Sequence, residues 1–184
     1  MELDEAIAGR RSIRRYTQDA VSDDEIAALI EAARWAPSWA NTQSWEFIAV
    51  KDKTLIEKVV GTYSKGNPAA KGSLGAPVLI VACAKTGVSG CYDGRDVTKF
   101  SCWYMFDLGM AVQNLCLKAH AMGLGIVVVG LIDHAACAKI LGVPEGHEVV
   151  AVIPVGRPAA PGRQAPPRKP VGEILYRDVF GRAF

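Results

Sequence analysis

The chain has no cysteine pair at metal-ligand spacing. Its five cysteines, Cys83, Cys91, Cys102, Cys116 and Cys137, are odd in number and widely separated, and none forms a CxxC. That spacing speaks against a disulfide framework, a zinc finger and a cysteine-ligated iron–sulfur cluster. Reduced thiols in a cytoplasmic protein are the simple reading. Histidine is scarce as well: His120, His134 and His147 are scattered and make no metal-ligand pattern. No apolar run reaches the roughly 18 residues that a membrane helix needs. The opening MELDEAIAGRR is acidic and then basic with no apolar core, so no signal peptide is expected. Neither sign of charge dominates, with 21 Lys+Arg against 19 Asp+Glu, and no nucleic-acid-binding motif is present. No Ser-His-Asp, Cys-His or paired-carboxylate arrangement has persuasive spacing, so no side chain is expected to act as nucleophile or general acid.

What is present is a well-stocked core. Half of the 184 residues are apolar, enough for one sizeable domain. ELDEAIAG reads as a short helix stopped at Gly9. SDDEIAALIEAARWAP reads as a stronger one, with Ser22 and Glu25 forming a capping box, Ile26, Leu29, Ile30 and Ala33 on one face, and Pro37 as its stop. WEFIAVK alternates as a strand, KTLIEKVVG is a short amphipathic helix, 61–75 a loop, and PVLIVACA a buried strand. Residues 84–98 are polar and irregular. The stretch 100–122 is apolar nearly all round and predicts a central helix ended by Gly123. GIVVVGL is a strand, DHAACAKILG a capped helix stopped by Gly142, and EVVAVIPVG the last core strand. These elements predict an α+β fold with a mixed sheet over residues 1–156. Residues 157–184 form a proline-rich arm, extended at first and then apolar in VGEILYRDVF.

Two short stretches carry chemistry. RRSIRRY, residues 10–16, places four arginines around Ser12 in an otherwise balanced chain. Guanidinium forks flanking a hydroxyl suit a compact phosphate monoester. A solvated charged face fits the stretch equally well, and a nucleic-acid contact less well. APSWANTQSWEF, residues 36–47, packs Ser, Asn, Thr, Gln and two Trp between a helix and a strand. It reads as either a polar turn with aromatic anchors or a functional loop.

Taken together, these stretches resemble the nitroreductase family of flavin-dependent oxidoreductases. The family's R-x-S-x-[RK] segment matches Arg10, Ser12 and Arg14. Its P-S-x-x-N-x-Q-P-W loop matches Pro37, Ser38, Asn41, Gln43 and Trp45, with Ser44 in place of proline. AVQNLCLKAHAMGLG, VGLID, LGVPEGHEVVAVIPVGRPA and the tail PRKP follow in family order. The resemblance implies a nitroreductase-like fold: a mostly antiparallel sheet flanked by helices, and a C-terminal arm extending onto the partner of a homodimer. It implies that Arg10, Arg11, Ser12 and Arg168 hold the phosphate and ribityl chain of FMN. Arg14 would place a cation at N1 and O2, and the backbone of Gly130 and Leu131 would reach N5 and O4. Pro37, Ser38, Trp39 and Asn41 would approach the flavin held by the other subunit. NADH or NADPH would be the donor, and nitroaromatics, quinones or similar small oxidants the acceptors, in ping-pong order. Neither nucleic acid, membrane nor metal enters this reading. Pro166 stands where the family often has Lys or Arg, Trp39 replaces a small polar residue, and the segment between Cys83 and Phe100 is short. Relatives that cleave flavin, dehalogenate or oxidise heterocycles are the alternatives, as is a non-catalytic flavin-binding module.

Overall fold

The computed structural model describes residues 1–160 and 164–184; residues 161–163 of the proline-rich segment lie outside the described residues. The sheet is built around β2 (Val78–Lys85), whose first seven residues are all buried. It pairs antiparallel with β1 (Trp45–Val50) on one side and β6 (His147–Gly156) on the other, and β5 (Gly125–Ile126) closes the far edge of β6. Strand side chains alternate between faces, so β2 feeds two cores. Val78, Ile80, Ala82 and Ala84 point into one with α2 (Asp23–Arg34) and α5 (Tyr104–Ala121). Leu79, Val81 and Cys83 point into the other with α3 (Lys53–Val60) and α6 (His134–Leu141). The mixed character of the sheet comes from Ser12, which bridges Ile126 in parallel.

Local signals explain most of the helices. Ser22 Oγ accepts from the Glu25 N–H at 3.1 Å, and the Ser22 N–H donates to Glu25 Oε2 at 3.0 Å, which completes the predicted capping box. Ile26, Leu29 and Ala33 are the buried face of α2, and they meet Leu108, Ala111, Leu115 and Ala119 of α5 in a single core. Asp52 caps α3, Asp133 caps α6, and Gly142 ends α6 at φ +67°. α1 (Leu3–Gly9) stops at the predicted glycine.

Four expectations need correction. Residues 61–75 are not all loop: α4 (Ala70–Leu74) sits there without a side-chain cap. Asn67 Oδ1 accepts from the Ala69 N–H at 3.0 Å and organises its approach, but five residues show no helical periodicity to read. Residues 84–98 hold a small hairpin, β3 (Cys91–Tyr92) with β4 (Arg95–Asp96), turned at Asp93 and Gly94 with φ +48° and +73°. The Asp-Gly pair is the local cause of that turn. The central helix begins at Tyr104 rather than near residue 100, because Thr98 Oγ1 bonds both the N–H and the carbonyl of Phe100 and holds a turn there. The strand expected over GIVVVGL is regular only at Gly125–Ile126. Beyond it, Val129 makes a single bridge to Val152 through two 2.9 Å bonds.

α4 owes its place to a glycine. A Cβ on Gly72 would lie 2.1 Å from the Arg14 carbonyl oxygen and 2.8 Å from its carbon. The backbone of α4 therefore rests directly on the Arg14 segment, an approach that only glycine permits. Gly72→Ala is expected to force the two segments apart and to cost about 1–3 kcal/mol, the usual range for overpacking. Thermal denaturation checks this: Tm should fall by several degrees, and an unchanged Tm would show that α4 shifts freely.

Candidate cofactor site

The basic stretch 10–16 is an extended ribbon laid along β5. The Ile13 N–H donates to the Ile126 carbonyl at 2.8 Å. The Tyr16 hydroxyl donates to the carbonyls of Ile13 and Pro154 at 2.7 and 3.2 Å, pinning the ribbon to β6. Ile13 packs on Gly125, where a Cβ would meet Ile13 Cγ2 at 2.7 Å. Period-two alternation sets Arg10, Ser12 and Arg14 apart from Arg11 and Ile13. Arg11 and Ile13 share the wall of a separate hollow of about 600 Å³ with His120 and Leu124. The Arg11 guanidinium donates to the carbonyls of Ala8 and Arg10, so in this structure it caps the C-terminal end of α1.

Arg10 and Arg14 form no salt bridge among the described residues, unlike Arg34, Arg157 and Arg182. Their fields still register on neighbours. Burial pushes the Tyr16 phenol up, with Tyr63 adding to the rise, and the Arg14 guanidinium opposes it. Burial likewise pushes the Cys116 thiol up to about 11, opposed by Arg10. These are cations with no carboxylate partner, fixed along an ordered backbone.

Gly130 and Leu131 lie beyond the Val129 bridge. Neither of their N–H groups donates to another described backbone group, and the space where a Gly130 Cβ would sit is empty to 4 Å. The Leu131 carbonyl is occupied, accepting from Asn67 Nδ2 at 3.1 Å and the Ser64 N–H at 3.2 Å. Asn67 leads into α4, and α4 rests on Arg14 through Gly72. One short helix thus joins the cationic ribbon to the free N–H edge. Asn67 and Gly72 were not legible as site residues, since nothing in a loop-like composition marks them.

Pro37, Ser38, Trp39 and Asn41 lie on a tight loop before β1. Ser38 Oγ accepts from the Gln43 N–H at 2.9 Å, and the Thr42 N–H donates to the Trp39 carbonyl at 3.0 Å. Ala40, Asn41 and Gln43 all adopt left-handed φ, +45°, +55° and +46°. The Trp39 N–H donates to Asp107 Oδ2 at 3.1 Å. Pro37 faces an open hollow of about 510 Å³ walled by Met105, Phe106 and Met110 of α5. Among the described residues no hydrogen bond joins this loop to the 10–14 ribbon. Arg168 is exposed in the tail, where its Nη1 donates to the Pro166 carbonyl at 3.1 Å, and no described contact brings it to the ribbon. Asp107 escaped the sequence reading. Its signal was there: it is the one acidic residue between Asp96 and Asp133, set in the largely apolar first half of its helix.

The donor set fits a phosphate-bearing planar ring. Guanidinium forks and a hydroxyl suit the anion, and unpartnered backbone N–H groups suit acceptors on a ring edge. Among the described residues no group of three His, Cys, Asp or Glu is placed to hold a metal. No described helix is long and apolar enough to cross a membrane.

The sequence pattern of the nitroreductase family matches residues 7–157. A curated relative from Methanothermobacter thermautotrophicus, whose name gives NADH dehydrogenase and NAD(P)H nitroreductase, is 31% identical over 163 residues, 86% of this chain and 78% of its own. The 5,6-dimethylbenzimidazole synthase of Rhodospirillum rubrum is 28% identical over 174 residues, 85% of this chain and 82% of its own. A solved structure from Desulfovibrio desulfuricans that holds FMN is 31% identical with a TM-score of 0.77, covering 98% of both chains. Likeness in sequence and fold over nearly the full length, joined to the arginine ribbon and the free N–H edge, places the chain in the nitroreductase family.

Proposed function

We propose that this chain is an FMN-dependent oxidoreductase that takes electrons from NADH or NADPH and passes them to small aromatic or quinone oxidants. One observation carries the reading: α4 and the Asn67 turn before it join the ribbon of Arg10 and Arg14, which form no salt bridge among the described residues, to the Gly130 and Leu131 N–H groups, which meet no described backbone acceptor. The FMN of the Desulfovibrio structure and the donor in the name of the Methanothermobacter relative support it.

Bound FMN supplies two-electron hydride chemistry, from a reduced nicotinamide to an oxidant, in ping-pong order. The chain's own residues bind and bias. Arg10 and Ser12 hold the phosphate, with Arg168 joining from the tail and Arg11 adding its backbone. The Gly130 and Leu131 N–H groups donate to the ring edge, and the bare Gly130 leaves room for it. Arg14 fixes a positive charge at the opposite edge and favours the more negative, reduced state. Met105, Phe106 and Met110 offer apolar and aromatic walls for a planar oxidant, and Trp39 lies on the loop beside Pro37, which faces the same hollow. A specialised activity, as the name of the Rhodospirillum relative suggests, is the alternative reading.

The working unit in this reading is a homodimer in the cytoplasm. The tail leaves Ile174, Val179 and Phe180 exposed, Phe180 at 91%. Met105 and Phe106 of α5 are exposed as well. Apolar area of this extent calls for a partner. The 37–41 loop, unbonded to its own ribbon, would then complete the partner's site.

Three measurements follow from this reading. Cofactor released by heat from the purified yellow protein should be FMN by mass spectrometry; FAD at full occupancy would sink the reading. Arg14→Ala, loaded with flavin, should have a lower reduction potential by roughly 30 mV, the equivalent of about 1.4 kcal/mol for two electrons. That is the low end for a charge-assisted contact, as suits an exposed arginine; an unchanged potential removes Arg14 from this role. Mixing Arg14→Ala with Asn41→Ala protein and letting subunits exchange should restore activity above both parents, because one of the two shared sites then carries neither lesion. No recovery after verified exchange, with NAD(P)H oxidation by menadione as readout, would show that each site is built from one chain.

A further inference from the structure

Asp107 is a carboxylate with 1% exposure in the first turns of α5. Burying such a group is costly unless it is bonded, so its partners show what it is for. Oδ2 accepts from two donors that belong to different segments. One is the Trp39 N–H of the site loop, and the other is the Ser89 hydroxyl at the stem of the β3–β4 hairpin. Oδ1 has no partner among the described residues.

Both segments need an anchor. The 37–43 loop carries three non-glycine residues at left-handed φ, a conformation that persists only when its surroundings over-determine it. Its own bonds, Thr42 N–H to the Trp39 carbonyl and Gln43 N–H to Ser38 Oγ, close the loop on itself and attach it to nothing else. The Trp39–Asp107 bond ties it to the core. The hairpin stem is held in the same place. Gly90, at φ +74°, lies against Trp103, where a Cβ would meet Trp103 Cβ at 2.7 Å. The Val97 N–H closes the stem on the Gly90 carbonyl at 2.9 Å. Trp103 in turn stacks with Phe100 and Phe106, at centroid distances of 6.4 and 5.6 Å, and Phe106 walls the hollow that Pro37 faces.

We infer that Asp107 is a positioning residue: one carboxylate oxygen locks the Trp39 loop, the Ser89 hairpin stem and the head of α5 into a single wall of the site. The inference rests on the reading above only in taking the 37–41 loop as flavin-facing. A carboxyl group suits the task because one of its oxygens can accept from two donors at once. An amide would keep an acceptor oxygen in the same place, whereas alanine would orphan the Trp39 N–H and the Ser89 hydroxyl.

The test uses full-length Asp107→Ala, Asp107→Asn and Ser89→Ala proteins. Amide hydrogen exchange is followed by mass spectrometry with and without FMN, and FMN affinity by fluorescence titration. KM and kcat are measured with NADH or NADPH and menadione. Asp107→Ala should speed exchange at 39–43 and at 86–97 by at least about fivefold, the lower end for an orphaned buried donor. It should weaken FMN binding and raise KM by a similar factor, with kcat of the loaded enzyme changed less. Asp107→Asn should restore most of each value, and Ser89→Ala should speed exchange chiefly at 86–97. A lower Tm for Asp107→Ala with native exchange at 39–43 and native KM would reduce Asp107 to a packing role and overturn the inference. So would an Asp107→Asn protein no better than alanine. If alanine prevents folding, Asp107→Asn and Ser89→Ala decide: native exchange at 86–97 in Ser89→Ala overturns the proposal. Exchange without FMN judges Asp107 by itself, while failure of the unaltered protein to bind FMN counts against the flavin reading alone.

Discussion

Everything in this molecule hangs on the burial of β2 on both faces. A strand flanked on each side by a partner and covered on each face by helices exposes no edge, and only its last residue, Lys85, reaches solvent. Its alternation divides the apolar residues into two cores, one packed by α2 and α5 and the other by α3 and α6. Because β6 pairs with β2 across eight residue pairs, the position of β5, and of the ribbon bridged to it, is set by the same pairing. The ribbon is therefore positioned through the central pairing of the sheet, which is what charge placement requires.

On that frame the chain does something costly in its own terms. It sets Arg10 and Arg14 on one extended ribbon without a carboxylate partner among the described residues, and it leaves the Gly130 and Leu131 N–H groups unpartnered among the described backbone groups. Cations without a described carboxylate partner, and donors without a described backbone acceptor, suit an anionic, acceptor-rich ligand. The same logic runs through the 37–43 loop, where left-handed φ at three residues is tolerated because a buried carboxylate and the start of β1 hold its ends. Departures from local comfort collect around the site and are balanced by the two cores.

Much of this could be read from residue order. The capping box of α2, the Asp caps of α3 and α6 and the apolar periodicity of these helices are local properties, so they survive any tertiary context. The alternation of WEFIAVK and the apolar run of PVLIVACA likewise report burial directly. The clustering of arginines around Ser12 is present in RRSIRRY, whereas the period-two face of Arg10, Ser12 and Arg14 comes from the extended ribbon that bridges Ile126. The loop PSWANTQSW announced itself by packing polar side chains between a helix and a strand.

Residue order alone could not reveal α4, because five residues without a side-chain cap form a helix only when something packs on them; here it is the Arg14 backbone against Gly72. Nor could it assign Arg11 to the end of α1, since competition between a ligand and nearby carbonyls is settled by distance. Asp107 was visible as the lone acid of its helix, yet its two donors lie 68 and 18 residues away in the chain. What the sequence by itself determined was the periodic and short-range part: the elements, their caps and the residue types of the site. What only the tertiary structure decided was which distant groups meet, because contacts at long sequence separation depend on the packing of both cores around β2 and leave no local pattern behind.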